Sequence, residues 1–232
     1  MSLPYGSHSN PRHSFPQSVS GVCCILSSMN EVENRIESLG KARLMGRYIS
    51  GSPEWHEARA GIGGSTIGTI CGVNTYQTRA EALESVLGLA EPIVPNLAMR
   101  MGTVFEDGIR KLWSEDNWHR LVYQTGTWQS LENPFWKANP DGLIRDADGS
   151  LSILEIKFSQ AQALPQTWVY QVHWYMMLLG LNKAVIVQLR GNKLIQHDID
   201  ADQSIFDQMR AEAALFEKEY NEWLTSSTTT NQ

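Results

Sequence analysis

Apolar positions recur along this chain with two different periods, and the change from one to the other divides it into helical and extended stretches. After Met29, the residues Val32, Ile36, Leu39 and Leu44 follow helical spacing and predict an amphipathic helix. Ser52 and Pro53 read as an N-cap followed by proline at the first helical position, opening a short helix through Trp55 and Arg59. A glycine-rich break follows, Gly61-Ile62-Gly63-Gly64-Ser65, from which Ser65 is expected to cap a second short helix carrying Ile67 and Ile70 and stopped by Gly72. Thr78-Arg79-Ala80-Glu81 has the capping-box form and starts a third helix, to about Gly88. Beyond a loop with Pro92 and Pro95, a longer helix fits Leu97 to Trp118, with Val104, Ile109, Leu112 and Trp113 on its apolar side.

Near Leu121 the residues turn to strand formers. Val122, Tyr123, Thr125, Thr127 and Trp128 favour extended backbone, and Trp136 to Ile144 and Leu151 to Phe158 are two further strands. Asp148-Gly149 between these last two is a hairpin turn signal and predicts antiparallel pairing. Pro165 opens a helix that Gly180 ends, Ala184 to Leu189 and Lys193 to Ile199 form a second strand pair around Gly191-Asn192, and a final helix spans Asp202 to Leu224. Helices, strands, a helix, strands and a helix in that order imply an α/β fold with a central mixed sheet flanked by helices.

The 232 residues, with no internal repeat, suit one domain over 29–224 with a polar tail at 225–232. Residues 1–28 read as a disordered extension, because Met1 to Ser18 is rich in Ser, Pro and His and Val22 to Leu26 is too short for a signal segment. Met29 then stands as a candidate internal start. No apolar run reaches the ~18 residues that a membrane span needs. Cys23, Cys24 and Cys71 are odd in number and lack zinc-ligand spacing, which suggests a reducing cytoplasm. The formal net charge of −6 excludes a uniformly basic surface, although a cleft can still concentrate positive charge.

Asp141 and Glu155 fall on the two strands of the first hairpin, which brings them together. Alternation along a strand puts Glu155 and Lys157 on one face and Ile156 on the other. An acidic pair among Ile153, Leu154, Ile156 and Phe158 costs desolvation unless a cation compensates. Carboxylate oxygens suit Mg²⁺ or Mn²⁺. On the residues alone two readings stand: such a metal site, or an ordinary Glu/Lys pair on a solvated face with Asp141 serving a turn.

Pro140-Asp141 followed by Glu155-Ile156-Lys157 across a hairpin resembles the signature of the PD-(D/E)xK nuclease superfamily. Trp55-His56-Glu57-Ala58-Arg59, Gly61-Ile62-Gly63-Gly64-Ser65, Met101-Gly102 with Glu106, and Tyr170-Gln171-Val172-His173-Trp174-Tyr175-Met176 narrow the resemblance to the YqaJ-type viral recombinases, the lambda-exonuclease-like family. The similarity runs in order from about Ser52 to Gly191. It implies a restriction-endonuclease-like core and a Mg²⁺-dependent (or Mn²⁺-dependent) 5′-to-3′ exonuclease. Such an enzyme digests double-stranded DNA from 5′-phosphorylated ends and leaves 3′ single strands for phage-type recombination.

Carried over residue by residue, the resemblance makes Asp141 and Glu155 metal ligands, with the main-chain carbonyl of Ile156 as a further one and Glu106 helping to hold a second ion. Lys157 becomes the catalytic lysine and Gln171 a glutamine beside the centre. Arg59 and Ser65 become the holders of the terminal phosphate. Taken singly, Arg59 reads as a surface ion pair, Ser65 as a plain cap, Glu106 as a solvated helix residue and Gln171 as a cap or internal pair. His173 is expected to pack rather than ligate, and Trp55, Trp168, Trp174, Tyr175, Met176 and Met177 read first as core. Arg79, Arg100, Lys111, Arg145 and Lys183 are scattered candidates to line a DNA channel. The resemblance also implies a single-strand annealing protein as partner, a ring-shaped trimer, and, for a phage-encoded chain, the cytoplasm of a bacterial host. The competing readings are a restriction-like endonuclease using the same metal chemistry and a nuclease-fold subunit that holds DNA ends without cutting.

Overall fold

The structure, a computed structural model, describes residues 19–91 and 93–229. Helix α1 (Val19–Ser38) comes first, followed by strand β1 (Ala42–Gly46). Of the extension expected over 1–28, residues 1–18 lie outside the described residues and 19–28 form the first half of α1. The helical pattern read through Leu44 is corrected here. Gly40, at φ 66°, takes the left-handed conformation beyond the helix end, and Leu44 belongs to β1.

Three short helices follow: α2 (Pro53–Ala58), α3 (Gly64–Ile70) and α4 (Arg79–Val86). The Ser52 side chain accepts from the backbone N–H of Trp55, and Thr78 and Glu81 form the reciprocal capping box. The N-cap of α3 is Gly63 rather than Ser65, which is the second residue of the helix. The early start needs glycine at position 64, because a Cβ there would lie 2.5 Å from the ring of Tyr175.

Helix α5 (Leu97–Asp116) buries Ile109 and Trp113 as expected, but Val104 and Leu112 are 74% and 52% exposed. The helix turns only one of its two apolar stripes to the core. The extended region then divides between two sheets. Strands β1, β3 (Thr127–Ser130) and β4 (Lys137–Ala138) make a three-stranded antiparallel sheet. Strands β2 (Leu121–Tyr123), β5 (Gly142–Arg145), β6 (Leu151–Phe158), β7 (Lys183–Arg190) and β8 (Lys193–Asp200) make a five-stranded sheet in the order β2-β5-β6-β7-β8. The strand expected from Trp136 to Ile144 is therefore two strands. Pro140 interrupts it, having no N–H to give a ladder, and the chain crosses from one sheet to the other there.

In the larger sheet β6 and β7 run parallel and the other pairs antiparallel, so the sheet is mixed. The crossover between β6 and β7 is α6 (Gln166–Leu179), which Gly180 ends at φ 70°. Alternation sends Leu143, Ile153 and Ile186 to the face packed by α6, with Met209, Ala213 and Phe216 of α7 (Gln203–Thr229) in the same core. It sends Ile144, Leu154, Ile156, Val185 and Val187 to the other face, against Ile109 and Trp113 of α5. The final helix continues through Thr225, so the segment read as a polar tail is helical as far as Thr229. The sheet covered by helices on both faces is the restriction-endonuclease-like architecture.

Candidate functional site

The parallel and antiparallel neighbours of β6 decide what meets at its end. Gly142 pairs with Leu154 across the hairpin, so the residue just before β5, Asp141, comes level with Glu155. Asp141 is in the connection from β4 rather than inside a strand, and this leaves its carboxylate free to reach across the hairpin. One oxygen, Oδ2, accepts from the backbone N–H of Ile156 at 2.7 Å.

Glu155 is buried beneath α6. Its Oε1 accepts from Lys157 Nζ at 2.7 Å and from Gln171 Nε2 at 2.6 Å, and Gln171 Oε1 in turn accepts from Lys157 Nζ at 3.0 Å. Carboxylate, ammonium and amide thus form a closed triangle. The other oxygen of Glu155, Oε2, is buried without a hydrogen-bond partner. Ile156 points to the opposite core, as alternation requires.

Glu106 approaches from α5, where Arg110 Nη2 donates to it at 2.6 Å. Arg110 was not singled out from sequence. It also bonds Asp107 and reaches the backbone carbonyl of Asp141 at 3.2 Å, so one guanidinium links Glu106 to the Asp141 loop. The helical spacing of Glu106 and Arg110 was a visible signal for the first contact. The second crosses 31 residues and had none.

A cleft of about 550 Å³ opens over this group, lined among others by Arg47, Tyr48, Trp55, Arg59, Ser65, Glu106, Arg110, Asp141, Gln171 and Tyr175. Arg59 caps the C-terminus of α2 with its guanidinium 4.4 Å from the centre of the Trp55 ring. Trp55 therefore works as a cleft wall, which corrects its reading as core. Tyr175 is core in its ring, while its hydroxyl accepts from Gln171 Nε2 at 3.0 Å and meets the cleft. His173 is buried, with Nδ1 2.7 Å from the Val169 carbonyl and Nε2 accepting from the Asp202 N–H. Two of the scattered channel candidates are occupied elsewhere: Arg79 by Glu212 and Glu219 of α7, and Arg145 by Glu31.

Charge is poorly balanced in the cleft floor. Burial, then the neighbouring Asp141, push the Glu155 carboxyl up to about 8, with Lys157 opposing. Burial also raises Asp141, against the pull of Lys157 and the Ile156 N–H, and burial and Asp141 together raise Glu106. Burial works against the Lys157 ammonium, but Glu155 and Asp141 outweigh it and hold the pKa up. The group therefore contains more carboxylate than its own cations neutralise. Among the described residues, no three Asp, Glu, His or Cys side chains already close on a common point as an ion cage would. Glu106 is turned to Arg110 instead.

The YqaJ-like viral recombinase domain, as a family model, matches residues 54–182, more than half of the chain and all of the cleft floor. The YqaJ protein of Bacillus subtilis (strain 168) is 29% identical over 187 residues, which cover 75% of this chain and 56% of that protein. The chain thus spans little more than half the length of this relative. Among solved structures, the alkaline exonuclease LHK-Exo of Laribacter hongkongensis superposes with a TM-score of 0.64 at 20% identity, over 78% of this chain and 100% of that one. A phage-related exonuclease from Haemophilus somnus 129PT gives a TM-score of 0.56 at 14% identity, over 72% and 96% of the two chains. At such identities these likenesses establish the shared fold.

Proposed function

This chain belongs to the YqaJ-like viral recombinase family, and from that premise we propose that it is a metal-dependent exonuclease. In this reading it digests double-stranded DNA from the 5′ end and leaves a 3′ single strand for phage-type recombination. The observation that carries the proposal is the hydrogen-bonded group of Glu155, Lys157 and Gln171 beside Asp141, with Glu155 Oε2 buried and unpartnered. A structural ion pair would satisfy its own oxygens. An acidic group that keeps a spare oxygen and excess negative charge fits a divalent cation.

Asp141, Glu155 and the Ile156 carbonyl would hold that ion, Mg²⁺ or Mn²⁺, and Glu106, which here pairs with Arg110, would help to hold a second. When bound, the metal polarises a phosphoryl oxygen and acidifies water. Lys157 Nζ, held as an ammonium by Glu155 and Gln171, orients the attacking water by donating to it and stabilises the negative charge that develops on the phosphate oxygens, while the proton of the metal-acidified water would leave to solvent. Gln171 keeps the ammonium and the carboxylate in register and is itself fixed by Tyr175. The fold shared with solved exonucleases supports the reading, and LHK-Exo has also been solved with dAMP, a nucleoside monophosphate such as exonuclease action releases.

Arg59 and Ser65 hold the 5′-phosphate. Arg59 has no acidic partner among the described residues and offers its fork of donors to the cleft, and Ser65 lies in the first turn of α3. Arg59→Ala is expected to reduce the preference for 5′-phosphate over 5′-hydroxyl ends by about 10- to 100-fold, the size of one charge-assisted hydrogen bond. Digestion of matched duplexes by the two proteins measures it. A preference unchanged in the variant removes Arg59 from end recognition.

The nuclease domain is assigned to residues 29–224. A single-strand annealing protein as partner, a ring-shaped oligomer and a bacterial cytoplasm belong to the same proposal. No helix of the described residues is long and apolar enough to cross a membrane.

A further inference from the structure

The three-stranded sheet carries a row of polar residues that the cleft chemistry leaves unused. Arg43 of β1 is in register with Gln129 of β3, and Gln129 with Lys137 of β4. Their neighbours Ala42, Leu44, Trp128 and Ala138 turn to the main core, so the row occupies the sheet's other face. On that same face, two residues along β3 and β4, stand Thr127 and Asn139. These two are hydrogen-bonded at 2.7 Å, and both line the cleft. The row therefore adjoins the edge of the cleft and lies about 7 Å beyond it, roughly two base-pair rises.

Its charge is uncompensated. Lys137 is only 6% exposed, yet its ammonium has no hydrogen-bond acceptor and no carboxylate among the described residues. Among the described residues, the other buried cation, Arg110, and the partly buried Lys157 each hold an acid. Arg43 has no acid either. Its Nε and Nη2 donate to Gln129 Oε1 at 2.9 and 2.5 Å, while Gln129 Nε2 donates to the Pro134 carbonyl at 2.9 Å. Gln129 thus fixes the guanidinium without neutralising it. Burial and the charge of Arg43 both lower the Lys137 pKa, as expected of two cations with no acid between them. In a chain with 25 acidic and 19 basic residues, a lysine with a buried stem and an ammonium at the solvent edge, beside an arginine and with no acid among the described residues, is a cationic pair that an external anion would neutralise.

We propose that Arg43, oriented by Gln129, and Lys137 form a subsite for a backbone phosphate of the nucleic-acid strand that runs out of the cleft. The fork of Arg43 gives directed donors and Lys137 a point charge at the base, the combination that suits a phosphodiester oxygen pair. The subsite rests on the nuclease reading, because only a polymer spans both the cleft and the row.

Binding, not cleavage, tests it. The full chain is titrated into a fluorescently labelled, 5′-phosphorylated duplex in the presence of a chelator, and anisotropy is followed over a salt series. Lys137→Met and Arg43→Gln are each expected to weaken binding several-fold at low salt. Each should also reduce the slope of log K against log salt by about 0.9, the value for one phosphate contact on B-form DNA. Lys137→Met should keep or raise the melting temperature, since it retains a buried apolar stem and removes an uncompensated charge, and Arg43→Gln alters an exposed residue, so a folding defect does not mimic the result. Unchanged affinity and slope in both variants, with firm binding by the unaltered chain, would overturn the subsite and leave the nuclease reading standing. No duplex binding by the unaltered chain even at low salt would overturn both.

Discussion

Lys157→Ala is expected to lower the rate of duplex digestion by about 10³-fold while leaving DNA-end binding within a few-fold of the unaltered protein. The reason is local. Among the described residues Lys157 Nζ is the only cation bonded to Glu155, and it reaches Gln171 as well, so its loss removes the group that orients the water and stabilises developing charge. Arg59, Ser65 and the sheet face proposed to contact DNA are untouched by the change. Glu155→Gln is expected to have an effect of similar size for a different reason, since it removes a proposed metal ligand but keeps the side chain's shape. Single-turnover digestion alongside end-binding titrations separates the two quantities. Either variant cutting at the unaltered rate would remove that residue from the mechanism.

Trp174→Ala is expected to cost about 3–5 kcal/mol of stability, the range for truncating a fully buried large aromatic. Trp174 is 0% exposed, packs against Trp136 in a tilted pair with ring centroids 5.3 Å apart, and donates Nε1–H to the Lys137 carbonyl at 2.9 Å. It is the bolt between α6, which carries Gln171 and Tyr175, and the three-stranded sheet. Removing it leaves a cavity and an acceptor short of a donor. Chemical denaturation measures the loss, and a change below about 1 kcal/mol would show that the two parts are held together elsewhere.

Signals confined to a few neighbouring residues carried over well from sequence to structure. The Ser52 cap with Pro53, the Thr78 and Glu81 box, the Asp148-Gly149 hairpin and the Gly180 stop all stand where expected, because each is satisfied within a few residues of itself. The boundary at Gly40 was misread because Leu44 happens to continue the helical spacing of Val32 and Ile36. Pairing with Trp128 on β3, far along the chain, decides that Leu44 is extended. The same limit split the strand at Pro140, since two short stretches of high strand preference do not reveal that they pair with different sheets.

At the candidate site, the convergence of Asp141, Glu155 and Lys157 was legible from a hairpin and the alternation of a strand. Gln171 joined them only through the family resemblance, because nothing in its own helix shows that α6 crosses over β6. Arg110 and the Tyr175 hydroxyl were missed for related reasons. An arginine four residues after a glutamate has an ordinary surface role by default, and a tyrosine among Trp and Met is read for its ring. The Arg43 and Lys137 row depends on register between three strands, which no single stretch of sequence displays.

The central claim is that this cleft cuts DNA from an end by metal-assisted chemistry. Its most direct test is digestion of one plasmid sequence as a linear duplex and as a closed circle, with Mg²⁺ and with a chelator, following release of label from each 5′ and 3′ terminus. The account predicts loss of 5′ label from the linear form in Mg²⁺, an intact closed circle, and no release under chelation. Rapid cutting of the closed circle, or digestion that persists with the metal removed, would contradict it.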